Sequence, residues 1–221
     1  MADAKKVSVK GPKHTMCRRV GYCLWGKANC PTNSRTIKNK DGQDVQTKDR
    51  SYPAGQHGPT KRRGKLSTYG SLLIEKQKLR TYYDLGERQL RFIYEKSRRG
   101  EGITGEKLLA NLEMRLTTAV YKSGLAPTIF AARQIVAHRH VLVDGKIVDR
   151  GGYRLKAGQV ISINPEKSPV IADIAKNNTS ETPAYFEHIQ GECKATVLHE
   201  PLPEEIQNNV EITKVVEYYA R

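Results

Sequence analysis

Aliphatic positions are sparse over residues 1–65 and recur at helical spacing from Ser71 onward. The early segment is rich in Gly, Pro, Asn and Lys. It has too few aliphatics to fold on apolar burial alone, so a metal, a partner surface or both must order it. Within it, Lys38 to Arg50 is polar throughout and is expected as an exposed loop. From Ser71, the positions Leu72, Leu73, Lys76, Leu79 and Tyr83 predict a helix with Lys76, Lys78 and Arg80 on flanking faces. Asp84, followed three residues later by Glu87, resembles a capping box opening a second helix over residues 88–94, closed by Arg98-Arg99-Gly100.

Thr104 can cap a helix whose core stripe is Leu108, Leu112, Leu116 and Val120, ending at Gly124 with Arg115 and Lys122 off the stripe. Thr128 is the expected N-cap of the next helix, with Ala132, Ile135 and Val136 facing inward. That helix runs into a hairpin with an Asp144-Gly145 turn, and Ile135, Val136, Val141, Val143, Ile147 and Val148 can share one small core. A strand is expected at 160–163. Residues 165–195 are Pro- and Asn-rich and poorly periodic, and Val210 to Tyr219 fits a strand or a short helix. The expected fold class is α+β: a mostly helical domain with an inserted small module of two helices, a β-hairpin and a short sheet. The divisions drawn are a basic extended segment at 1–60, a helical domain at 61–103 with 177–221, and the inserted module at 104–176.

Gly100-Glu101-Gly102-Ile103-Thr104-Gly105 has the spacing of a dinucleotide fingerprint. That chemistry needs a strand before the glycines, and here a charged helix precedes them, so the segment is a glycine hinge.

Charge changes the picture most. The net charge of +15 divides as +16 over residues 1–100, +4 over 101–160 and −5 over 161–221. A cationic excess confined to the front of a chain points to a polyanionic partner. No apolar run approaches the length needed to cross a bilayer, and Met1-Ala2-Asp3-Ala4-Lys5-Lys6 lacks the apolar core of a secretory signal. A cytosolic protein with reduced cysteines and no membrane partner is expected, Cys193 being an ordinary thiol. No nucleophile–base–acid set appears. Glu200, Glu204 and Glu205 fall in an acidic, Pro-bounded stretch and are expected as solvated carboxylates, so neither an enzyme nor a small-molecule substrate is expected.

The Arg133, His138 and Arg139 cluster at a helix end beside the hairpin suits phosphate. His138 and His140, one residue apart without nearby Cys or carboxylate pairs, make a poor metal site. Gly55-Gln56-His57-Gly58 brackets two polar side chains with two glycines, which either let an RNA strand approach closely or simply make a tight turn.

Seven blocks occur in order along the chain. They are Tyr52-Pro53-Ala54-Gly55-Gln56-His57-Gly58, Ser67-Thr68-Tyr69-Gly70, Glu75-Lys76-Gln77-Lys78-Leu79-Arg80 and Glu87-Arg88-Gln89-Leu90-Arg91. Residues 104–116, the Arg133–Lys146 segment and Val215-Val216-Glu217-Tyr218-Tyr219-Ala220-Arg221 complete the set. Together they resemble the S4 family of small-subunit ribosomal proteins. The module near 104–163 also resembles those attached to pseudouridine synthases and tyrosyl-tRNA synthetases, but the Gly-Gln-His-Gly and Glu-Lys-Gln-Lys blocks single out the ribosomal family.

The resemblance implies a ribosomal structural protein that binds small-subunit ribosomal RNA at a five-way junction and nucleates assembly. It also implies a neighbour of the S5 family, an influence on decoding accuracy, and a place near where messenger RNA enters. The candidate RNA-contacting side chains in the front half are Arg18, Arg19, Gln56, His57, Lys61, Arg62, Arg63, Lys65, Ser67, Tyr69, Lys76, Gln77, Lys78, Arg80, Arg88 and Arg91. Behind them come Arg115, Arg133, Gln134, His138, Arg139, His140, Lys146 and Arg154. Arg139 stands where the family often has glycine or lysine; if the position is left-handed, arginine costs on the order of 1 kcal/mol.

The family's zinc ligands follow a Gly-Pro, here Gly11-Pro12. His14 and Cys17 sit where many members carry a Cys-x2-Cys pair, and Cys30 falls near the third ligand. The usual fourth ligand is absent, and Cys23 can replace it. Because the family also has zinc-free members, both a structural zinc on His14, Cys17, Cys23 and Cys30 and no metal stay open. The rival reading, an RNA-modifying enzyme of the pseudouridine synthase type, needs a catalytic domain for which no stretch remains. Repression of the chain's own messenger uses the same surface and stays open.

Overall fold

The computed structural model describes residues 13–27, 30–33, 50, 52–60, 64, 66–165, 167–178, 181–188 and 192–221, and the backbone of 35–38 and 44–47. The chain packs as two compact units, residues 1–82 and 83–221.

The first unit holds helix α1 (Thr15–Val20), strands β1 (Arg35–Lys38) and β2 (Asp44–Thr47), and helix α2 (Thr68–Tyr82). Gly21, at φ 98°, ends α1 by donating its N–H to the Cys17 carbonyl. β1 and β2 pair antiparallel, Arg35 opposite Thr47 and Lys38 opposite Asp44, where the polar pattern had predicted a loop. Backbone pairing needs no apolar residues, which explains why periodicity missed it. Among the described residues, one buried apolar cluster of this unit is Met16, Cys17, Leu24 and Cys30, flanked by partly buried Tyr22, Cys23, Trp25, Ile74 and Tyr82, and Leu72 and Leu79 of α2 are buried as well. Trp25 Nε1 donates to the Tyr82 carbonyl at 3.1 Å, tying the segment after α1 to the end of α2.

The second unit runs α3 (Glu87–Arg98), α4 (Thr104–Glu113), α5 (Leu116–Lys122), α6 (Ile129–Ala137), β3 (Val141–Val143), β4 (Lys146–Ile147), β5 (Val160–Ile163), α7 (Pro169–Lys176), β6 (Phe186–His188), β7 (Lys194–Val197) and α8 (Ile212–Ala220). The five strands form one antiparallel sheet ordered β4-β3-β5-β7-β6. The fold is thus mixed helix and sheet, as expected. Its sheet gains β6 and β7 from a stretch whose Pro and Asn content hid them. The core joins α5 and α6 to the sheet through Leu116, Val120, Ala132, Val136, Val141, Val143, Ile161 and Val197.

Several local expectations shift. The single helix expected from Thr104 to Gly124 breaks at Arg115, whose backbone is extended at φ −75° and ψ 136°. The break is held by pairing with the 151–155 loop: Leu155 N donates to Met114 O and Leu116 N to Tyr153 O. The α3 cap is Gly86, whose N–H goes to Gln89 Oε1, and the Asp84–Glu87 box does not form. Asp84 instead takes φ 48° and accepts from Arg133 at 2.9 Å. Ile147, expected in the core, is 47% exposed because only alternate hairpin positions face inward. Thr128 does cap α6, accepting from Ala131 N at 3.1 Å. Asp144 and Gly145, at φ 49° and 78°, make the expected hairpin turn. The Val210 to Tyr219 stretch resolves as a short helix beginning at Ile212.

A carboxylic acid lies inside this unit. Glu113 is wholly buried, with Oε1 accepting from the Tyr83 hydroxyl at 2.7 Å and Oε2 from the Tyr185 hydroxyl at 3.2 Å. Burial pushes its acidity constant above the ordinary 4.5, outweighing the opposing pull of the Lys122 charge and the two phenols. An acid whose folded pKa is raised stabilises the fold only while protonated. Its contribution is full below 4.5 and is lost as pH rises through the raised value. Glu113→Gln keeps a polar partner for both phenols and cannot ionise. The variant should therefore gain on the parent chain as pH rises from below 4.5 to neutrality, in denaturant titrations at a series of pH values. A parent-minus-variant difference independent of pH would contradict this.

Candidate RNA-facing surface and metal-ligand cluster

The cationic side chains singled out in the sequence divide into those the fold has engaged and those it leaves presented. Lys76 is buried, and Lys78 closes on the buried Glu75 at 2.6 Å while lying over the Tyr22 ring. Burial works against that ammonium, but its bonds to Glu75 and Tyr22 hold its pKa above the usual lysine value. Lys76 sits on the inward stripe of α2 with Leu72 and Leu79, while Lys78 is half-buried at its edge, held by Glu75. Arg18 donates to the carbonyls of Tyr52 and Pro53 at 3.2 and 3.3 Å and covers the Tyr52 ring, so it orders the loop that follows. Ser67 Oγ accepts from Gly70 N at 3.1 Å, capping α2. Arg19, Gln56, His57 and Tyr69 are exposed, and Gln77 and Arg80 are half-buried. Lys61, Arg62, Arg63 and Lys65 lie outside the described residues.

The two glycines around Gln56 and His57 have different jobs. Gly55 is at φ 113°, with nothing within 4 Å of an added Cβ. Gly58 is buried, and a Cβ there would stand 1.9 Å from the Pro53 carbonyl oxygen. Gly58 is therefore required by the turn itself, which presents Gln56 and His57 outward. Gly58→Ala should open residues 53–60 and destabilise the first unit by more than ~1 kcal/mol. Gly55→Ala should cost only its left-handed strain, about 1 kcal/mol. Limited proteolysis of the two variants distinguishes the cases, since only Gly58→Ala should become cleavable in that loop.

In the second unit, Arg133, Gln134, His138 and Arg139 stand exposed at the end of α6. Arg139 is at φ 63°, the left-handed conformation that its replacement of glycine had raised, and its guanidinium pairs with Asp149 at 3.0 Å. His140 bonds the Ser168 hydroxyl, and its ring stacks near that of His138, 6.1 Å between centroids. Lys146 is exposed on β4. Arg91 pairs with Glu95 at 3.1 Å and Arg154 with Glu200 at 2.9 Å, both at the surface.

Arg115 differs from all of these. It is half-buried at the break between α4 and α5, and among the described residues nothing accepts a hydrogen bond from its guanidinium. Burial lowers its pKa, and the charge of Arg133 lowers it further. An unpaired, partly desolvated guanidinium is a strong anion attractor. It lines a cleft of about 430 Å³ with Arg88, Lys96 and Arg154, and also with Phe92 and Asn111. Lys96, Phe92 and Asn111 were not singled out in the sequence. The signal was there: the buried stripe of α3 is Leu90, Ile93, Tyr94 and Ser97, which leaves Phe92 outside it.

In the first unit, α1 and the following loop bring His14, Cys17, Cys23 and Cys30 together, with all four ligand atoms within 4.8 Å of one another. Cys17 and Cys30 are fully buried, and Cys30 Sγ lies 3.3 Å from His14 Nδ1 and 3.0 Å from Thr32 Oγ1. Burial pushes the Cys17 thiol up to about 12, and the neighbouring Cys30 and Cys23 reinforce it against a hydrogen bond from the Leu24 amide. Burial also opposes ionisation of Cys30, but hydrogen bonds from Thr32, Cys23 and Cys17 hold it below its usual value. Cys30 thus becomes a thiolate more readily than Cys17. Zn–S bonds of ~2.3 Å at tetrahedral angles need sulfurs about 3.8 Å apart. One histidine and three cysteines at the observed separations fit such an ion after a contraction of about 1 Å.

Among the described residues, no helix is long and apolar enough to cross a membrane. The family model for the ribosomal protein S4/S9 N-terminal domain matches residues 8–113, and that for the S4 domain matches 114–161. A small ribosomal subunit protein uS4 from Parabacteroides distasonis is 44% identical over 215 residues, covering 96% of this chain and 98% of the relative. The protein of the same name from Roseobacter denitrificans is 39% identical, covering 95% and 96%. That from Bifidobacterium animalis subsp. lactis is 44% identical over 178 residues, covering 78% and 86%.

Proposed function

Since the chain belongs to the uS4 family of small-subunit ribosomal proteins, we propose that it is a structural constituent of the small ribosomal subunit that binds small-subunit ribosomal RNA without catalytic turnover. The observation that carries the reading is the Arg115 guanidinium, unpaired among the described residues, in a cleft it shares with Arg88 and Lys96 and with Arg154, whose charge Glu200 already meets, an arrangement suited to phosphate. Structured RNA is bound largely through shape, phosphates and 2′-hydroxyls, and the exposed Gln56, His57, Arg133, Gln134 and His138 supply the matching donors.

The inserted module is taken as 104–176, with 61–103 and 177–221 as the helical domain and 1–60 as the basic arm. Assembly nucleation at a five-way junction, an effect on decoding accuracy and a position near the incoming messenger follow from the family resemblance. The net −5 charge of 161–221 supports a protein neighbour there, of the S5 family. His14, Cys17, Cys23 and Cys30 would hold a structural zinc, adding to the small apolar cluster of Met16, Cys17, Leu24 and Cys30.

Chemical footprinting of a small-subunit ribosomal RNA transcript tests the function. Protection should concentrate at one helical junction. A transcript equally reactive with and without the protein, even in dilute buffer, would overturn it. A uridine-isomerisation assay on the same transcript should show no conversion.

A further inference from the structure

We propose that the cleft beside α3 receives a single nucleotide unstacked from the RNA, its base on the Phe92 ring and its phosphate on Arg115 and Arg88. The inference rests on the RNA-binding reading above and adds what one part of that surface holds.

Phe92 is 66% exposed, while every other aromatic of α3 is buried. A lone exposed phenylalanine is ordinary on a protein surface. This one stands one turn from Arg88 and one turn from Lys96 on the same helix face, at the wall of a cleft with no acidic lining residue. Cationic side chains interleaved with an accessible aromatic face are the combination that holds an unpaired nucleotide, because every base has a π-face and every nucleotide a phosphate. An apolar peptide would leave Arg115, Arg88 and Lys96 without counter-charge. The cleft volume of about 430 Å³ lies within the ~300–1,000 Å³ typical of small-molecule sites.

Gly152 also lines the cleft, and a Cβ there would fall 3.5 Å from Arg115 Nη1, in contact with the guanidinium that the absent side chain leaves uncovered on that side. Two amides complete the lining. Asn111 Nδ2 already donates to Ser97 Oγ at 2.8 Å, which leaves its carbonyl oxygen to accept. Gln89 Oε1 already accepts from Gly86 N, which leaves its amide nitrogen to donate. The cleft therefore offers a base edge one acceptor and one donor beside its stacking surface.

The test compares the parent chain, Phe92→Leu and Phe92→Tyr on a full-length small-subunit ribosomal RNA transcript, by filter binding and base-specific chemical probing at one salt concentration. Phe92 is mostly exposed, so neither change removes core packing, and circular dichroism should superimpose. Phe92→Leu should bind roughly ten-fold more weakly, the loss of one base–aromatic stack. It should also restore reactivity at one unpaired base that the parent protects. Phe92→Tyr should bind like the parent. Equal affinity and an identical footprint for Phe92→Leu would overturn the proposal while leaving RNA binding intact. So would an unchanged RNA footprint with loss of a neighbouring ribosomal protein on reconstitution, which would assign the cleft to a protein side chain. A parent chain that protects no nucleotide would sink the RNA reading itself, and this proposal with it.

Discussion

Cys17→Ser is expected to strip the chain of stoichiometric zinc and to unfold residues 13–33. Among the described residues, the apolar cluster around this segment has four buried members, and two of them, Cys17 and Cys30, are themselves ligand candidates. Such a core cannot offset the ordering entropy of the segment, whereas a structural zinc contributes on the order of 10 kcal/mol at neutral pH. Serine at 17 leaves three ligands around an ion that needs four. Hydrogen exchange should show the amides of α1, protected in the parent, exchanging freely in the variant, and elemental analysis should show the metal gone. Because the Cys17 thiol is pushed up to about 12 without metal, uptake at neutral pH must release its proton. Chelators should therefore win more easily as pH falls. Cys193→Ser is the control, since that thiol lies in the second unit and donates only to the Ala172 carbonyl. A parent protein free of zinc, or a Cys17→Ser protein that keeps it, would remove the metal assignment.

What the sequence disclosed and what it withheld differ in kind. The α6–hairpin segment was legible because each of its signals is local: a threonine N-cap, a 3.6-residue stripe, and an Asp-Gly turn that needs two positive φ angles. The ligand cluster was legible because cysteines are few and their side chains chemically distinctive. By contrast, the break at Arg115 is imposed by a loop forty residues away in sequence, whose backbone pairs with Met114 and Leu116, and no local rule anticipates it. The β1–β2 pairing was hidden because its bonds are between backbone groups, to which composition is blind. Strands β6 and β7 do place Phe186, Ala195 and Val197 in the core, but they are short and lie in or beside a Pro- and Asn-rich stretch that masks their alternation. Lys76 and Lys78 show the converse. Charge alone suggested an RNA contact, but Lys76 lies buried on the inward face of α2 and Lys78, at its edge, is engaged by Glu75. Phe92 is hard to read from sequence because one phenylalanine in an amphipathic helix looks like core, and only the buried stripe of Leu90, Ile93, Tyr94 and Ser97 shows it to face outward.

The affinity of the chain for small-subunit ribosomal RNA should fall steeply with salt, by roughly 10³–10⁵ between 50 and 200 mM if about 6–10 phosphates are neutralised. Within that total the arginines should not be equivalent. Arg91 is largely solvated and already spends its charge on Glu95, so Arg91→Gln should leave both affinity and salt slope nearly unchanged. Arg115 is partly desolvated, unpaired among the described residues and pressed by the like charge of Arg133. A phosphate placed there relieves that repulsion and meets a guanidinium that gives up little hydration. Arg115→Gln should weaken binding by ~1–3 kcal/mol and flatten the log-affinity against log-salt line by about one phosphate's share. The slope separates the mechanisms: a variant that merely loosens the fold would lose affinity at every salt concentration by the same factor. If Arg115→Gln and Arg91→Gln lower affinity and slope alike, the RNA is held by net charge alone, and the cleft has no special part in binding it.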